Sequence, residues 1–205
     1  MTKFFYNLGI QIYGLLLQST APFHTKANKW VAGRQNFFPK MVEKLDGNKE
    51  PLIWFHCASL GEFEQGRPVL EKIKQEYPFY KIALTFFSPS GYEVRKNYAG
   101  ADYILYLPLD TAANARKFVE LLQPSLAVFV KYEFWYHYLL ELHKSQIPVI
   151  SISAIFRENQ HFFKPYGGFY RNILRLFSHI FTQNEHSAIL LLQAGINQVT
   201  VAGDT

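Results

Sequence analysis

The sequence has very little cysteine: Cys57 is the only one among 205 residues. A single thiol cannot build a disulfide framework or a cysteine-based zinc site, which excludes the small disulfide-stabilised secreted domains and favours a reducing compartment. His56 and His161 are too isolated from other metal-ligating residues in the sequence to indicate a metal site. We therefore expect no metal ion and no resident cofactor.

The glycine-rich loops that bind nucleotide phosphates are also missing. The sequence contains neither G-x-G-x-x-G nor G-x-x-x-x-G-K-[ST], which counts against dinucleotide binding and P-loop hydrolysis. Aromatic residues make up 17% of the chain but lack the signature of an RNA-binding sheet, so no nucleic-acid partner is expected. Acidic residues are outnumbered by basic ones, 16 against 21. The net charge of +5 favours anionic partners such as lipid headgroups or phosphorylated substrates.

Charge is absent from one long segment, between Phe4 and Phe23. Its length raises the question of a transmembrane helix, but polar residues recur in it at helical spacing. One side of the helix would carry Asn7, Gln11, Gly14 and Gln18, and the other side Phe4, Leu8, Ile12, Leu15 and Leu16. This pattern predicts a helix that lies in a membrane interface and does not cross it. The alternative is a surface helix packed on its own domain.

Basic residues follow this segment, at Lys26, Lys29, Arg34, Lys40 and Lys44. Each can contribute on the order of 1 kcal/mol of attraction to an anionic leaflet. A secretory signal is a poor alternative, because polar residues interrupt the part that should be uniformly apolar. Residues 1–49 are therefore predicted to form an amphipathic membrane-contact helix and a basic arm.

Residues 50–205 alternate short β-branched and aromatic runs with longer amphipathic stretches. This rhythm predicts an α/β domain, with a Rossmann-like parallel sheet and helices on both faces. The predicted strands are 52–57, 81–86, 103–107, 126–130, 149–153, 179–182 and 199–201. The predicted helices lie near 65–76, 90–98, 111–122, 134–145, 165–177 and 185–194.

Ligands of open α/β sheets bind beyond the carboxyl ends of the strands, so the residues after each strand are candidates for chemistry. The first strand is followed by the segment His56-Cys57-Ala58-Ser59-Leu60-Gly61-Glu62. Gly61 permits a close backbone approach. Glu62 places a carboxylate beside helix N-terminal amides, where it stays ionised and can accept a proton from a substrate hydroxyl. The competing interpretation is that Glu62 only complements the helix dipole.

Three further places follow other strands. Ser88 and Ser90 lie in a Ser-Pro-Ser-Gly turn, which suits phosphate or sugar oxygens but is equally an ordinary capped turn. Glu133 follows an apolar strand close to Lys131, and the pair indicates either a ligand site or simple mutual neutralisation. Arg157 follows the next strand, and its guanidinium can hold a phosphate or carboxylate bidentately unless the loop is merely solvated.

Five segments taken together resemble the Kdo transferase family, which transfers 3-deoxy-D-manno-octulosonic acid. They are the His56–Glu62 element, Ser88–Gly91, Tyr106–Asp110, Glu133–Trp135 and Val201–Thr205. The resemblance covers nearly the whole chain, and the H-x-x-S-x-G-E element is its most specific part. It implies the N-terminal half of a GT-B glycosyltransferase. The implied reaction is an inverting transfer from CMP-Kdo to a hydroxyl of a lipid A precursor without a metal ion, at the cytoplasmic face of the bacterial inner membrane, with peripheral or monotopic attachment.

The resemblance also implies roles for individual residues. Glu62 matches the catalytic base of the family, and Gly61 shapes the turn that presents it. Ser59 and Gly61 are expected to contact the substrate, and Glu133 matches a second acidic position expected to support the acceptor site. Three neighbouring positions depart from many relatives, which have an acidic residue, threonine and proline there: Lys131, Tyr132 and Tyr136.

The acceptor of such an enzyme carries phosphates, for which Arg34, Arg157 and Lys164 are candidate partners, while its acyl chains would stay in the bilayer beside residues 4–23. In relatives the Gly-Asp-Thr-like segment opens the connection to a second domain that holds the nucleotide sugar. The chain is therefore expected to be a fragment that binds acceptor and membrane without transfer of its own. Two alternatives remain: a non-catalytic flavodoxin-like module that docks on a membrane or partner, and a GT-B transferase with another nucleotide sugar.

Overall fold

A seven-stranded parallel sheet is the centre of the computed structural model, which describes residues 2–204. The strand order is β3-β2-β1-β4-β5-β6-β7. The strands are β1 (Leu52–Cys57), β2 (Lys81–Phe86), β3 (Tyr103–Tyr106), β4 (Leu126–Val130), β5 (Val149–Ala154), β6 (His179–Thr182) and β7 (Val199–Val201). Strands β1, β2, β4, β6 and β7 have the predicted bounds, while β3 ends one residue earlier and β5 one residue later than predicted. The predicted Rossmann-like fold class is confirmed.

Helices cover both faces of this sheet. They are α1 (Thr2–Thr20), α2 (Thr25–Ala32), α3 (Phe37–Leu45), α4 (Leu60–Glu76), α5 (Pro89–Arg95), α6 (Ala112–Leu122), α7 (Tyr136–Lys144), α8 (Gly168–Leu174) and α9 (Glu185–Gln193), with a 3-10 helix at His161–Phe163. One core cluster contains side chains of α3, α6, α7, α8 and α9, and a second cluster on the other face contains side chains of α4. Every residue of β1 is buried, as a central strand between two helical layers requires.

Two helices occupy the part of residues 1–49 in which sequence analysis predicts a basic arm. In α2, Trp30 is buried, and in α3 both Phe37 and Met41 belong to a core cluster. Lys26, Lys29 and Lys40 are exposed on these helices. The basic spacing that suggested an arm is therefore the solvent side of two short helices that pack on the domain.

Helix α1 lies across the carboxyl edge of the sheet and packs through its polar side. Asn7 Oδ1 lies 2.7 Å from Nε2 of His137, which follows β4. A Cβ added at Gly14 would come 2.7 Å from Cδ2 of Leu109, which follows β3, so the missing side chain lets the helix approach closely. The Tyr13 ring stacks on Phe87, which follows β2, with 6.1 Å between centroids.

The apolar side of α1 faces away from the domain. Its side chains are largely exposed: Phe4 66%, Leu8 41%, Ile12 47%, Leu15 64% and Leu16 57%. Helix α1 therefore packs on its own domain, as in the alternative given above. It does so through its polar side, and its apolar side stays exposed. Within residues 2–204, no helix is both long and apolar enough to span a bilayer.

Candidate functional site

The sheet has a switch point between β1 and β4, where the order of the strands reverses. A crevice forms beyond the carboxyl ends of the two strands at such a point, because the loops that follow them lead to opposite faces of the sheet. Residues 58–62 follow β1, and residues 131–135 follow β4. Two of the four predicted places therefore flank the same crevice.

Glu62 lies in the first turn of α4 and forms a capping box with Ser59. The backbone N–H of Ser59 donates to Oε2 of Glu62 at 2.6 Å, and the Ser59 hydroxyl donates to the same oxygen. These bonds explain why α4 begins at Leu60, five residues before the predicted start. Glu62 thus has a structural role at the helix start, as the competing interpretation predicts. Its side chain stays partly exposed, and the capping box leaves Oε1 unused.

Gly61, beside this carboxylate, is exposed. A Cβ added there would meet only Oγ of Ser59, at 3.9 Å. Packing therefore does not require glycine at this position. The open space next to Glu62 is consistent with the close approach of a ligand to the backbone.

Cys57, the last residue of β1, is affected by both acidic residues of the crevice. Burial raises the pKa of its thiol, and the negative charges of Glu62 and Glu133 raise that pKa further. A negative charge disfavours the thiolate, so both carboxylates oppose ionisation at the end of β1. The thiol stays protonated at neutral pH and is a packing residue rather than a nucleophile.

A buried chain of hydrogen bonds joins β2, β1 and the loop after β4. Nε1 of Trp54 donates to Oγ1 of Thr85 at 2.8 Å, and the same Oγ1 lies 2.8 Å from Nδ1 of His56. Nε2 of His56 lies 3.2 Å from Oε2 of Glu133, which also accepts from Nε1 of Trp135. Trp54, His56 and Thr85 are fully buried, and Glu133 is 7% exposed.

One assignment of protons satisfies this whole chain. The Thr85 hydroxyl donates to Nδ1 of His56, and the proton on Nε2 of His56 then points to Glu133. Each donor has an acceptor in this arrangement, which holds the side chains in one geometry. His56 is therefore a core histidine with a partner at each ring nitrogen. Within residues 2–204, no group of three His, Cys, Asp or Glu side chains is placed to hold a metal ion.

The turn after β4 is strained, because Lys131 adopts a left-handed conformation with φ 63°. That conformation costs a non-glycine residue about 1–2 kcal/mol. The turn buries Glu133, which hydrogen-bonds to His56, and no ion pair between Glu133 and Lys131 occurs within residues 2–204. Mutual neutralisation of Lys131 and Glu133 is therefore not what holds this segment. The Glu133 side chain is 9% exposed, and its contact with an acceptor stays a prediction.

The serine turn lies next to the loop that precedes Glu62. Ser88 caps α5: its Oγ accepts from the backbone N–H of Ser90 at 3.3 Å and lies 3.0 Å from the Ser90 hydroxyl. The backbone N–H of Ser88 donates to the carbonyl oxygen of Ala58 at 2.7 Å. The turn is thus an ordinary capped turn, and it also places two hydroxyls beside the β1–α4 loop.

Arg157 lies at a different place on the same edge. It is exposed and lines a cavity of about 570 Å³ with Tyr132, Phe134, Asn159, Gln160, His161, Phe162 and Tyr170. Lys164 is not among the lining residues. Arg157 therefore lies at an aromatic cavity near the loop after β4, and Lys164 follows the lining residue His161, whose carbonyl oxygen accepts from the backbone N–H of Lys164 at 3.3 Å.

Arg34 has a role different from the predicted one. Its Nε donates to the carbonyl oxygen of Leu107 at 2.9 Å, its Nη2 to that of Phe87 at 2.7 Å and its Nη1 to that of Trp30 at 3.0 Å. Burial lowers the pKa of Arg34 to about 9, so the side chain is still charged at neutral pH. All three guanidinium nitrogens of Arg34 donate to backbone carbonyl oxygens. Arg34 therefore has a structural role and not the predicted bidentate contact with an acceptor phosphate.

The sequence pattern did not indicate Trp54, Thr85 or Trp135 as parts of this site. One signal was present, since Trp54 and His56 are two residues apart and therefore share one face of β1. Thr85 lies on a neighbouring strand, and only the register of β1 and β2, which pairs His56 with Thr85, brings it into contact.

A protein-family model described as 3-Deoxy-D-manno-octulosonic-acid transferase (kdotransferase) matches residues 31–205. The chain belongs to the Kdo transferase family. Curated relatives called 3-deoxy-D-manno-octulosonic acid transferase align with it in part. The protein of Haemophilus influenzae is 31% identical over 103 residues, which are 50% of this chain and 24% of the relative. That of Aquifex aeolicus is 34% identical over 121 residues, which are 58% of this chain and 32% of the relative.

These alignments span about a quarter to a third of the Kdo transferases they match. Solved structures of UDP-GlcNAc 2-epimerases share the fold. The enzyme of Neisseria meningitidis, bound to UDP-GlcNAc, superposes with a TM-score of 0.56 at 18% identity, over 75% of this chain and 46% of the other. That of Methanocaldococcus jannaschii has a TM-score of 0.54 at 17% identity, over 75% of this chain and 45% of the other. At this identity the likeness concerns the fold alone.

Proposed function

We propose that this chain is the acceptor-binding N-terminal part of an inverting glycosyltransferase that moves Kdo from CMP-Kdo to a hydroxyl of a lipid A precursor in lipopolysaccharide biosynthesis. Family membership supports the sugar that is transferred. The observation that carries the proposed mechanism is the position of Glu62, partly exposed at the switch point of the sheet. Catalytic groups of open α/β folds lie at this point.

In the proposed step the acceptor oxygen forms a bond to the anomeric carbon of Kdo, while the bond from that carbon to the phosphate oxygen of CMP breaks. The proton of the acceptor hydroxyl passes to Oε1 of Glu62, the carboxylate oxygen outside the capping box. CMP departs with the electrons of the broken bond. A positioned carboxylate of this kind accelerates the reaction by about 10²- to 10⁴-fold.

Glu62→Gln tests this role in the protein encoded by the complete reading frame. Glutamine still accepts the bonds of the capping box, so the start of α4 is kept, but it cannot take a proton. We expect kcat for transfer from CMP-Kdo to fall by about 10²-fold or more. Glu64→Gln is the matched control, because Glu64 lies in the same helix and pairs with Arg67 and Arg95 at its surface. A Glu62→Gln variant as active as this control would refute the proposal.

The exposed side of α1 supports contact with a membrane. Five large apolar side chains face away from the domain there, and Lys3, Lys26 and Lys29 are exposed on α1 and α2. Burial of an exposed leucine or phenylalanine contributes about 1.5–3 kcal/mol, and basic residues near an anionic surface add to this. The proposed location is the cytoplasmic face of the bacterial inner membrane, with peripheral or monotopic attachment.

Flotation with anionic vesicles tests this contact. The double variant Leu15→Glu, Leu16→Glu is expected to lose most of its vesicle binding. The double variant Ile189→Glu, Leu192→Glu changes two apolar residues on α9 that are each 50% exposed, and it should bind as the unchanged protein does. Equal loss in both variants would mean that charge alone governs the binding.

The donor site is proposed to lie in a second domain, since the alignments span no more than about a third of the curated relatives above. The 205-residue chain is therefore expected to bind acceptor and membrane but to give no turnover with CMP-Kdo and a lipid acceptor. Robust transfer by this chain alone would refute that expectation.

A non-catalytic docking module is the second candidate function, and the free apolar side of α1 is the observation that favours it. The two candidates differ in one result. If Glu62→Gln abolishes turnover and leaves vesicle binding intact, the chain is part of an enzyme. If no turnover is found with the complete reading frame, the docking module is the better description.

A further inference from the structure

A cavity of about 470 Å³ lies between α1, α2 and the residues that follow β2. Its wall has an apolar part, with Tyr13 and Leu17 of α1 and Phe87. It also has a polar part, with Thr20, His24, Lys26, Trp30 and Ser88. No acidic residue lines it, so the charges and donors around it favour an anion.

Trp30 lines this cavity and carries an indole N–H that is unpaired in the described chain. The residue is 7% exposed, and its Nε1 is buried without a hydrogen-bond partner in the described chain. Buried indole N–H groups are normally paired, because an unsatisfied donor is costly. The other two tryptophans follow that rule, since Nε1 of Trp54 donates to Thr85 and Nε1 of Trp135 to Glu133. Because a water molecule does not reach this nitrogen, an acceptor oxygen would pair with it only where a ligand displaces part of the cavity wall.

Positive charge surrounds the same wall. Lys26 is exposed and forms no ion pair within residues 2–204. The guanidinium of Arg34 stacks behind the wall, 3.8 Å from the centre of the Trp30 ring and 5.0 Å from that of Phe87. The positive charge of Arg34 also acts on Tyr13 in the cavity wall. Burial raises the pKa of the Tyr13 hydroxyl, and the charge of Arg34 opposes this rise.

The cavity is continuous with the exposed apolar side of α1. Tyr13 lines the cavity and is itself 43% exposed, and Leu16, next to the lining residue Leu17, is 57% exposed. A ligand with an anionic head and an apolar tail would fit both surfaces, because the head would meet Lys26 and Trp30 while the tail follows α1. A free inorganic anion would leave the apolar wall uncovered.

We infer that this cavity binds the phosphate headgroup of a membrane lipid, with Lys26 as its charged recognition group and the indole N–H of Trp30 as a donor that a small movement of the cavity wall makes available. The inference rests on the membrane contact proposed above and gives it a specific headgroup site. The site lies beside α2 and Ser88 rather than at Glu62, so it holds a lipid phosphate next to the crevice.

Two-dimensional ¹H–¹⁵N NMR of the labelled chain tests the inference, because each tryptophan gives one indole N–H signal and Trp30→Phe assigns that of Trp30. The probe is dihexanoyl phosphatidic acid below its micelle concentration. We expect a saturable shift of the Trp30 signal and little change for Trp54 and Trp135. Since Nε1 of Trp30 is shielded from solvent, such a shift reports a ligand inside the cavity rather than on the surface.

Charge variants and two further probes complete the test. Lys26→Ala should weaken binding about fivefold, which corresponds to one lysine near an anionic group. Lys29→Ala is the matched control, since Lys29 is an exposed lysine of α2 outside the cavity, and it should change affinity by less than about twofold. Inorganic phosphate should bind about tenfold more weakly or worse, because it cannot cover the apolar wall.

Four outcomes would overturn the inference. These are no shift of the Trp30 signal, equal weakening by Lys26→Ala and Lys29→Ala, inorganic phosphate binding as tightly as the lipid, and dihexanoyl phosphatidylcholine shifting the Trp30 signal as strongly as the phosphatidate. A soluble short-chain lipid needs neither a bilayer nor sugar transfer for binding. A negative NMR result would therefore contradict the headgroup site alone. The flotation and turnover experiments would still decide the membrane contact and the transfer reaction.

Discussion

The hydroxyl of Tyr6 on α1 donates a hydrogen bond to the buried carboxylate of Asp110, beyond the end of β3. Asp110 also accepts from the backbone N–H groups of His137 and Tyr138, at 3.1 Å and 3.0 Å, at the start of α7. One carboxylate thus joins the N-terminal helix to the loops after two strands. The stability of this contact decides how firmly α1 is held on the carboxyl edge of the sheet.

The protonation of Asp110 makes stability depend on pH. Burial raises the pKa of Asp110 from 3.8 to about 6, although the Tyr6 hydroxyl and two backbone N–H groups lower it. The folded state therefore holds this proton more tightly than the unfolded state. The stabilisation that results is complete below about pH 4 and is lost as the pH rises through about 6. Asp110→Asn should flatten this part of a plot of unfolding free energy against pH, measured by urea denaturation.

Tyr6→Phe removes a donor from this carboxylate. The loss should be larger at pH 7.5, where Asp110 is ionised, than at pH 5, and should amount to about 1–3 kcal/mol of unfolding free energy. Urea denaturation at both pH values measures it. Tyr77→Phe changes a tyrosine that is 53% exposed and should have little effect at either pH. A loss for Tyr6→Phe that is the same at both pH values would contradict the role of the ionised carboxylate.

Thr85 is the centre of the buried chain between Trp54 and His56. Thr85→Val keeps the shape of the side chain but leaves Nε1 of Trp54 without its acceptor, so we expect a loss of about 1–3 kcal/mol. Thr85→Ser keeps the hydroxyl and should lose less. The measurement is urea denaturation followed by tryptophan fluorescence, and equal losses in the two variants would show that the methyl group, not the hydroxyl, matters.

Glu133 is expected to act mainly on the geometry of its neighbours. Glu133→Ala removes the carboxylate that His56 and Trp135 share, although Nε1 of Trp135 still lies 3.1 Å from Nε2 of His56. We expect it to destabilise the protein by about 1–3 kcal/mol, the usual cost of a lost buried hydrogen-bond partner. Glu133→Gln retains an amide oxygen for Trp135 and should cost clearly less. Thermal unfolding of the two variants side by side tests this, and a stable Glu133→Ala protein would assign the residue to ligand binding instead.

Two glycines of α4 provide a contrast between packing and function. At Gly66 a Cβ would come 2.7 Å from Cγ2 of Val130, so Gly66→Ala should destabilise the protein by about 1–3 kcal/mol through overpacking. At Gly61 a Cβ has room, and Gly61→Ala should leave stability unchanged or raise it by up to about 1 kcal/mol. If Gly61→Ala also lowers transfer in the complete protein, the space beside Glu62 is used by a substrate.

The strands of the sheet were predictable because buried parallel strands are short, apolar and bounded by polar turns. The predicted start of helix α4 is too late, because Gly61, Gly66 and Pro68 are poor helix formers. The Ser59–Glu62 capping box nevertheless begins the helix at Leu60. Helices α2 and α3 were missed because each is short and only a few of its residues are buried.

The candidate site was predictable only where its residues are adjacent in the sequence. The Ser59–Glu62 element could be recognised directly, whereas the contact between His56 and Glu133 joins residues 77 positions apart. Arg34 was assigned to a phosphate on its charge alone. Its contacts with the carbonyl oxygens of Phe87 and Leu107 form only in the folded chain. The composition and the local sequence pattern therefore do not indicate them.

Helix α1 is attached through its polar side along the edge of the sheet that carries Glu62. If this helix rests on a lipid layer, as proposed above, the protein fixes the height of the Glu62 carboxylate above the acyl chains. An acceptor would then arrive by diffusion within the plane of the layer, so that its search for the crevice becomes two-dimensional.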